Sequence, residues 1–332
     1  MIEIENLTKR YGALTAVDNV TFSVAPGEVL GFLGPNGAGK STTMRMIAGF
    51  LAPTSGSARV CGHDVQSDAL AAKRCIGYLP EGAPSYGEMT VRGFLDFIAD
   101  VRGLSGEQRR SRLDDVIARL QLAGVLRQSI ETLSKGFRRR VGLAQAILHD
   151  PRVLILDEPT DGLDPNQKHE VRALINAMAA DKIIVISTHI LEEVDAVCTR
   201  AVIIADGRLV ADEKPQALET RSRYHNAVTL GFADAAQMNR AHAALEAMPQ
   251  IAAVEVRERE GRLTALPRSG EMVLPAISEM ARQQRWDVNE LHLESGRLDE
   301  VFRAITRPES TRPEIASSHS SDGSGPHAVA GG

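Results

Sequence analysis

The sequence predicts an α/β fold with a parallel core, followed by a smaller α+β unit. From residue 1 to about 220, short runs of β-branched residues alternate with helical stretches, the order that builds a parallel sheet covered by helices. These runs are flanked by Gly and Asp and lack polar alternation, so they read as strands buried on both faces. From residue 222 to 307 the order becomes β-α-β-β-α-β, the split arrangement of ferredoxin-like domains. A chain of 332 residues is long enough for two such units.

The elements follow in order. MIEIENLTKRYG is charged and alternating, and reads as a strand, not a leader. VTFSV (20–24), EVLGFLG (28–34), ARVCG (58–62), IGYLP (76–80), VLILD (153–157), KIIVIST (182–188) and AVIIAD (201–206) are the other strands. Helices are expected over 90–102, 107–122, 137–149, 166–180 and 190–197. In the second unit AVTLGF is a strand and DAAQMNRAHAALEAM a helix. IAAVEVRE and RLTALP form a hairpin around Glu260-Gly261, EMVLPAISEMARQQ is a helix, VNELHLE a strand and LDEVFRAIT a final helix. These patterns divide the chain into 1–220, 221–307 and a tail, 308–332. The tail is rich in Ser, Pro, Gly and His and too poor in apolar residues to offset its ordering entropy, so disorder is expected there.

The net charge of −5 gives no global attraction to nucleic acid, so such a role would need a local patch. Cys61, Cys75 and Cys198 have neither metal-pair nor disulfide spacing and read as isolated thiols. No apolar run approaches the roughly 18–20 residues of a membrane span. The chain is therefore expected in the cytoplasm, held to a membrane only through a partner.

Two segments carry most of the chemistry. GPNGAGKST (Gly34, Pro35, Asn36, Gly37, Ala38, Gly39, Lys40, Ser41, Thr42) matches G-x-x-x-x-G-K-[ST] between a strand and a helix, the context that this phosphate-binding loop requires. Its glycines let backbone N–H groups turn around phosphate oxygens, and the following helix N-terminus adds its dipole. Lys40 can reach the β- and γ-phosphates, and Ser41 can ligate Mg²⁺. VLILDEP ends a buried strand in Asp157 and Glu158. Strand alternation points the pair differently, so one can approach the metal while the other faces the attacking water. Asp157 suits the metal role of phosphate-loop proteins, and Glu158 the general base.

Two single residues admit two readings each. His189 follows the KIIVIST strand at the end where open α/β sheets bind ligands, and would otherwise be structural. Tyr11 in KRYG could stack on a base or pack on the core. The run LSKGFRRRVGLAQ, Leu133–Gln145, could be a nucleic-acid patch or one wall of a nucleotide site.

Together these residues resemble the nucleotide-binding domain of ABC transporters. Tyr11, the loop 34–42, GYLPE (77–81), LSKGF (133–137), VLILDEPTDGLD (153–164) and STH (187–189) stand in that family's order and spacing. The resemblance implies an ABC cassette of the P-loop NTPase class with a helical subdomain, using ATP and Mg²⁺. It implies that Tyr11 stacks on adenine and that Lys40, Ser41 and Thr42 contact phosphate and Mg²⁺. Asp157 would hold the metal, Glu158 would be the catalytic glutamate, and His189 would sense the γ-phosphate. Asp164 would lie in the loop that communicates between protomers.

LSKGF stands in the place of the signature LSGGQ. Its Ser134 and Gly136 would cover ATP held by a second cassette, so the missing wall lies in a partner, most simply an identical chain. Arg138–Arg140 would then be helix-face residues, solvated or paired. Three residues depart from the family pattern: Lys135 and Phe137 replace signature Gly and Gln, and Glu81 replaces the Gln that reaches Mg²⁺ and the membrane subunit. YLPEGAPSYGEMTVR and LSKGFRRRVGLAQAILHDP are similar to ATPases of ABC-2-type exporters, in the branch of gliding motility and nitrous-oxide-reductase maturation. The function implied is an ATPase that powers export through an integral-membrane permease, contacted around residues 81–92, at the inner face of the cell membrane. The alternative is a non-transport ABC ATPase acting on a soluble or nucleic-acid complex. A GTPase is disfavoured by the lack of an N-K-x-D guanine motif.

Overall fold

The computed structural model describes residues 1–83 and 86–306; the tail 308–332 lies outside them, as do Pro84 and Ser85 within the segment 81–92. The chain opens with β1 (Ile2–Tyr11) and β2 (Leu14–Val24), a hairpin. β3 (Val29–Leu33) then leads into α1 (Lys40–Ile47). β4 (Ser55–Val60), β5 (His63–Asp64), α2 (Ala69–Cys75) and β6 (Ile76–Leu79) follow. Three helices come next: α3 (Val91–Val101), α4 (Gly106–Arg119) and α5 (Lys135–Ile147). The first unit closes with β7 (Val153–Asp157), α6 (Pro165–Ala179), β8 (Ile183–Thr188), α7 (Leu191–Val197), β9 (Arg200–Ala205), β10 (Arg208–Glu213) and α8 (Pro215–Glu219).

The central sheet has the order β10-β9-β3-β8-β7-β6. Every pair from β9 to β6 is parallel, and β10 is an antiparallel edge. VLGFL, VLILD and IIVIST are buried at every residue, as strands covered on both faces must be. VTFSV and ARVCG do not join them. They belong to a second, antiparallel sheet ordered β2-β1-β4-β5. Thr21 and Ser23 are exposed there while Phe22 and Val24 are buried, the period-two pattern of a sheet with one wet face.

Local signals set the helix starts. Thr90, Ser134 and Asp164 cap α3, α5 and α6, accepting from the backbone N–H of Gly93, Phe137 and Gln167 respectively, a contribution of about 1 kcal/mol each. Pro165 occupies the first turn of α6, where its missing N–H costs nothing. Cys61 and Cys75 are not isolated: burial and the adjacent Cys61 thiol together push the Cys75 thiol up.

The last part comprises β11 (Val228–Phe232), α9 (Ala235–Glu246), β12 (Ile251–Arg257), β13 (Arg262–Pro267), α10 (Leu274–Gln283), β14 (Val288–Leu293) and α11 (Leu298–Thr306). Its sheet is antiparallel with the order β12-β13-β11-β14. Val228, Leu230, Leu263 and Ala265 pack there against Met238, Leu245 and Ile277 of α9 and α10. α11 leaves this core. Leu298 is buried in the cassette's own hydrophobic cluster, with Phe302 and Ile305 packed against it.

Candidate active site

The loop between β3 and α1 is shaped by its glycines. Gly39 has φ +105°, and a Cβ there would lie 2.4 Å from the carbonyl oxygen of Ala16. A Cβ on Gly34 would lie 2.5 Å from the carbonyl oxygen of Ile204. Gly37, at φ +82°, faces open space. The loop is thus pinned to the sheet at both ends and open at its crest, where left-handed backbone turns N–H groups toward an anion. Pro35 and Asn36 are exposed at the tip and Ala38 is buried.

Lys40 begins α1 and is 7% exposed. Its ammonium donates to the carbonyls of Gly34 at 2.6 Å and Pro35 at 3.1 Å. Burial holds its pKa below the usual lysine range, while the carboxylates of Glu158, Asp157 and Glu81 act in the opposite direction. Those three carboxylates thus lie within electrostatic reach of one cation. Ser41 and Thr42 are partly exposed in the next positions.

Asp157 ends β7 and is 1% exposed. Its Oδ1 accepts from the Ser187 hydroxyl; its Oδ2 is buried without a hydrogen-bond partner. An orphaned carboxylate oxygen is costly unless a cation meets it. A carboxylate oxygen of this kind suits a hard cation such as Mg²⁺. Among the described residues no group of three His, Cys, Asp or Glu side chains could hold a metal ion by itself.

At Glu158 the strand breaks, with φ +51°, a left-handed conformation that a non-glycine residue holds only under constraint. The constraints are visible. Its N–H donates to Ser187 O at 2.9 Å. Its carbonyl accepts from the guanidinium of Arg139 and from the Asp161 N–H at 3.1 Å. Its carboxylate is thereby turned toward His189, whose Nδ1 lies 2.9 Å from Oε1. His189 is placed in turn by Thr188: this hydroxyl donates to the buried Glu193 at 2.8 Å and accepts from the Ile190 N–H at 3.0 Å. Burial raises the Glu193 carboxyl, and the Thr188 hydrogen bond opposes that shift.

Other expected residues stand apart. Tyr11 ends β1 with its ring 48% exposed and the Lys9 ammonium 5.2 Å from its centroid; it does not pack on the core. Ser134 is exposed and caps its own helix. Gly136 is buried against Gln167: a Cβ there would lie 2.4 Å from the amide oxygen. Among the described residues neither is hydrogen-bonded to the phosphate loop. Lys135 lays its stem along Gly162. Glu81 is exposed just past β6.

Two of the three arginines, exposed Arg138 and paired Arg140, fit the sequence expectation, and Arg139 departs from it. Arg138 is exposed, but Arg139 and Arg140 are buried. Arg140 pairs with Glu170 at 2.7 Å and also donates to Gln121. Arg139 spans backbone carbonyls, those of Glu158 and, at 3.4 Å, Pro80. Sequence reasoning missed Arg139 because a basic residue on a helix ordinarily faces water. Its only local signal was its place about one turn into a helix whose neighbours Val141, Leu143 and Ala144 are apolar.

Comparison with known proteins shows the family. The ABC transporter family profile matches residues 17–161. The chain is 39% identical over 218 residues to the Nod factor export ATP-binding protein I of Paraburkholderia xenovorans, covering 65% of this chain and 72% of that one. It is 36% identical over 213 residues to an ABC transporter ATP-binding protein of Bacillus subtilis, covering 63% and 68%. A probable multidrug ABC transporter ATP-binding protein of Escherichia coli is 37% identical over 67% of this chain, which spans only 38% of that protein. Among solved structures, the ATP-binding subunit of an ABC transporter matches with TM-score 0.63 and 32% identity over 67% of this chain and 92% of that one. A dimeric post-hydrolysis ABC cassette bound to ADP and Pi matches with TM-score 0.60 and 25% identity over 65% and 99%. The chain belongs to the ABC transporter ATP-binding proteins, and is an ATPase cassette of that family.

Proposed function

We propose that this cassette hydrolyses ATP with Mg²⁺ at a site shared by two copies, and so drives export through a separate integral-membrane permease. The observation that carries the reading is the meeting of Lys40, Asp157, Glu158 and His189 at the ends of β3, β7 and β8. Lys40, Thr42 and the loop N–H groups hold the phosphates, and the Ser41 hydroxyl and Asp157 hold the metal with Glu81. Mg²⁺, when bound, supplies charge neutralisation at the β- and γ-phosphates. Glu158 accepts the proton of the attacking water and His189 fixes its carboxylate. Tyr11 offers its exposed ring to the base. Ser134 and Gly136, which face no nucleotide loop of their own chain, serve the site of the second cassette, as the dimeric relatives suggest.

A surface for the permease supports the transport half of the reading. A groove of about 1030 Å³ opens between α1, α2, β6 and α3, reaching Pro80 just before Glu81. Exposed Phe50, Leu70 and Val101 line it with Arg45, Lys73 and Arg102, and its lining contains no acidic residue. It suits an acidic, amphipathic segment of a membrane subunit. The chain itself has no helix long and apolar enough to cross a membrane among the described residues, so the partner supplies the passage and the cassette sits at its cytoplasmic face. The names of the Nod factor and multidrug relatives favour export.

A tagged Glu158→Gln chain, recovered with ATP from gently solubilised native membranes, tests the reading. Co-purification of a stoichiometric multi-span protein is expected. Recovery only with soluble complexes or nucleic acid would replace transport by another use of the same ATPase.

A further inference from the structure

Arg139 stands out among the buried charges. It is 4% exposed, yet among the described residues it makes no ion pair with any carboxylate within 4.0 Å. Its guanidinium donates to main-chain oxygens: the carbonyl of Glu158 and, at 3.4 Å, that of Pro80. Pro80 precedes Glu81, and Glu158 bears the carboxylate that faces His189. The third point of attachment is α5 itself, capped by Ser134. One rigid, forked side chain therefore ties the helix that begins at Ser134 to two segments bearing Mg²⁺-site and water-site carboxylates. Burial lowers its pKa, while Asp161, Asp157, Glu158 and Glu81 all act to keep it charged. A buried cation surrounded by four carboxylates but bonded to peptide oxygens is costly as a mere bridge between subdomains.

We propose that Arg139 is a positioning residue for hydrolysis, holding the left-handed backbone of Glu158 and the Glu81 segment in register with α5. It contacts no substrate atom; its effect passes through Glu158. When the α5 N-terminus meets nucleotide across the dimer, a shift of α5 is carried to the Glu158 carbonyl by a side chain with little freedom. The fork matters as much as the charge, because a lysine ammonium can satisfy one carbonyl well but not both. The inference rests on the assignment of water activation to Glu158.

Steady-state ATP hydrolysis by Arg139→Lys and Arg139→Met, each alone and with Glu158→Gln, tests it. The expected result is a fall in kcat of roughly 10- to 100-fold for Arg139→Met, with KM for ATP changed less than about threefold. Arg139→Lys should recover part of that loss, and remains informative if the methionine variant does not fold. In the Glu158→Gln background, single-turnover rates should show no further loss, because the two residues act as one unit. An unchanged kcat in Arg139→Lys and Arg139→Met, a loss confined to KM, or an equal additional loss in the Glu158→Gln background would each overturn the proposal. Wild-type turnover by Glu158→Gln itself would remove the role of Glu158 and this inference with it. Loss in Glu158→Gln beside wild-type turnover in the Arg139 variants removes the inference alone.

Discussion

His189 Nδ1 lies 2.9 Å from Glu158 Oε1, so an Nδ1–H donates to the carboxylate that we propose accepts a proton from water. The pair joins the end of β8 to the end of β7, and both partners are set from behind: Glu158 by its left-handed backbone and His189 by the Thr188–Glu193 hydrogen bond. A carboxylate already engaged by an imidazole has a defined direction but a shared lone pair. Binding of nucleotide must leave Oε1 or Oε2 free for water.

Replacing Glu158 by Gln keeps the shape of this corner and removes the proposed base. ATP binding should persist while kcat falls roughly 10²- to 10⁴-fold. Equilibrium nucleotide binding and phosphate release measured on one preparation check both halves. Undiminished release would show that another group activates the water.

Lys40→Ala removes the ammonium that bonds the Gly34 and Pro35 carbonyls. Hydrogen bonds to charged groups contribute about 1.5–3 kcal/mol, so ATP affinity should drop roughly 10- to 100-fold. Calorimetric titration with a non-hydrolysable analogue reads it directly. Equal affinity in the variant would place the phosphates elsewhere.

Gly77 sits on β6 where the backbone of α5 comes closest. A Cβ there would lie 2.1 Å from the carbonyl oxygen of Ala146, with Leu154 and Pro151 each at 2.8 Å. Gly77→Ala should cost about 1–3 kcal/mol, seen as a fall in the thermal midpoint of roughly 2–4 °C per kcal/mol. A wild-type midpoint would mean that α5 and β6 separate more easily than their packing indicates.

His149 follows α5 and bonds the Ile76 carbonyl at 3.1 Å. Burial first, then the Arg102 charge, push its pKa down from 6.5 to about 4. The folded protein thus keeps the ring neutral where the unfolded chain would protonate it. Its contribution is fully present above pH 6.5 and is lost as pH falls toward 4, with a slope of at most about 1.4 kcal/mol per pH unit. Denaturant midpoints of wild type and His149→Asn should converge across that window. A constant difference from pH 7 to pH 4 would mean that the ring is not buried neutral.

Local chemistry made much of this legible. GPNGAGKST announced a loop between strand and helix, and VLILDEP a buried strand ending in two carboxylates, because each pattern has few other uses. Period and length recovered the helices of the cassette and the β-α-β-β-α-β order after residue 222. VTFSV and ARVCG were misplaced, because a five-residue run was read for composition when its alternation carried the sheet assignment. α11 looked like the end of the second unit. Its amphipathic pattern says that one face is buried but not against what, and Leu298 packs in the cassette.

The sequence by itself determined the phosphate loop and the carboxylate pair, since each depends on residues within a few positions of one another, and the family resemblance, through the order and spacing of such short motifs. Tertiary structure decided that Asp157 keeps one orphaned oxygen, that Glu158 turns left-handed toward His189, and that Arg139 reaches inward to Glu158 and Pro80. Those residues are 19 and 59 positions from Arg139 along the chain. No local propensity encodes such a contact. It exists because packing α5 against β6 leaves a guanidinium with main-chain oxygens as its hydrogen-bond partners among the described residues, and a buried donor must find an acceptor.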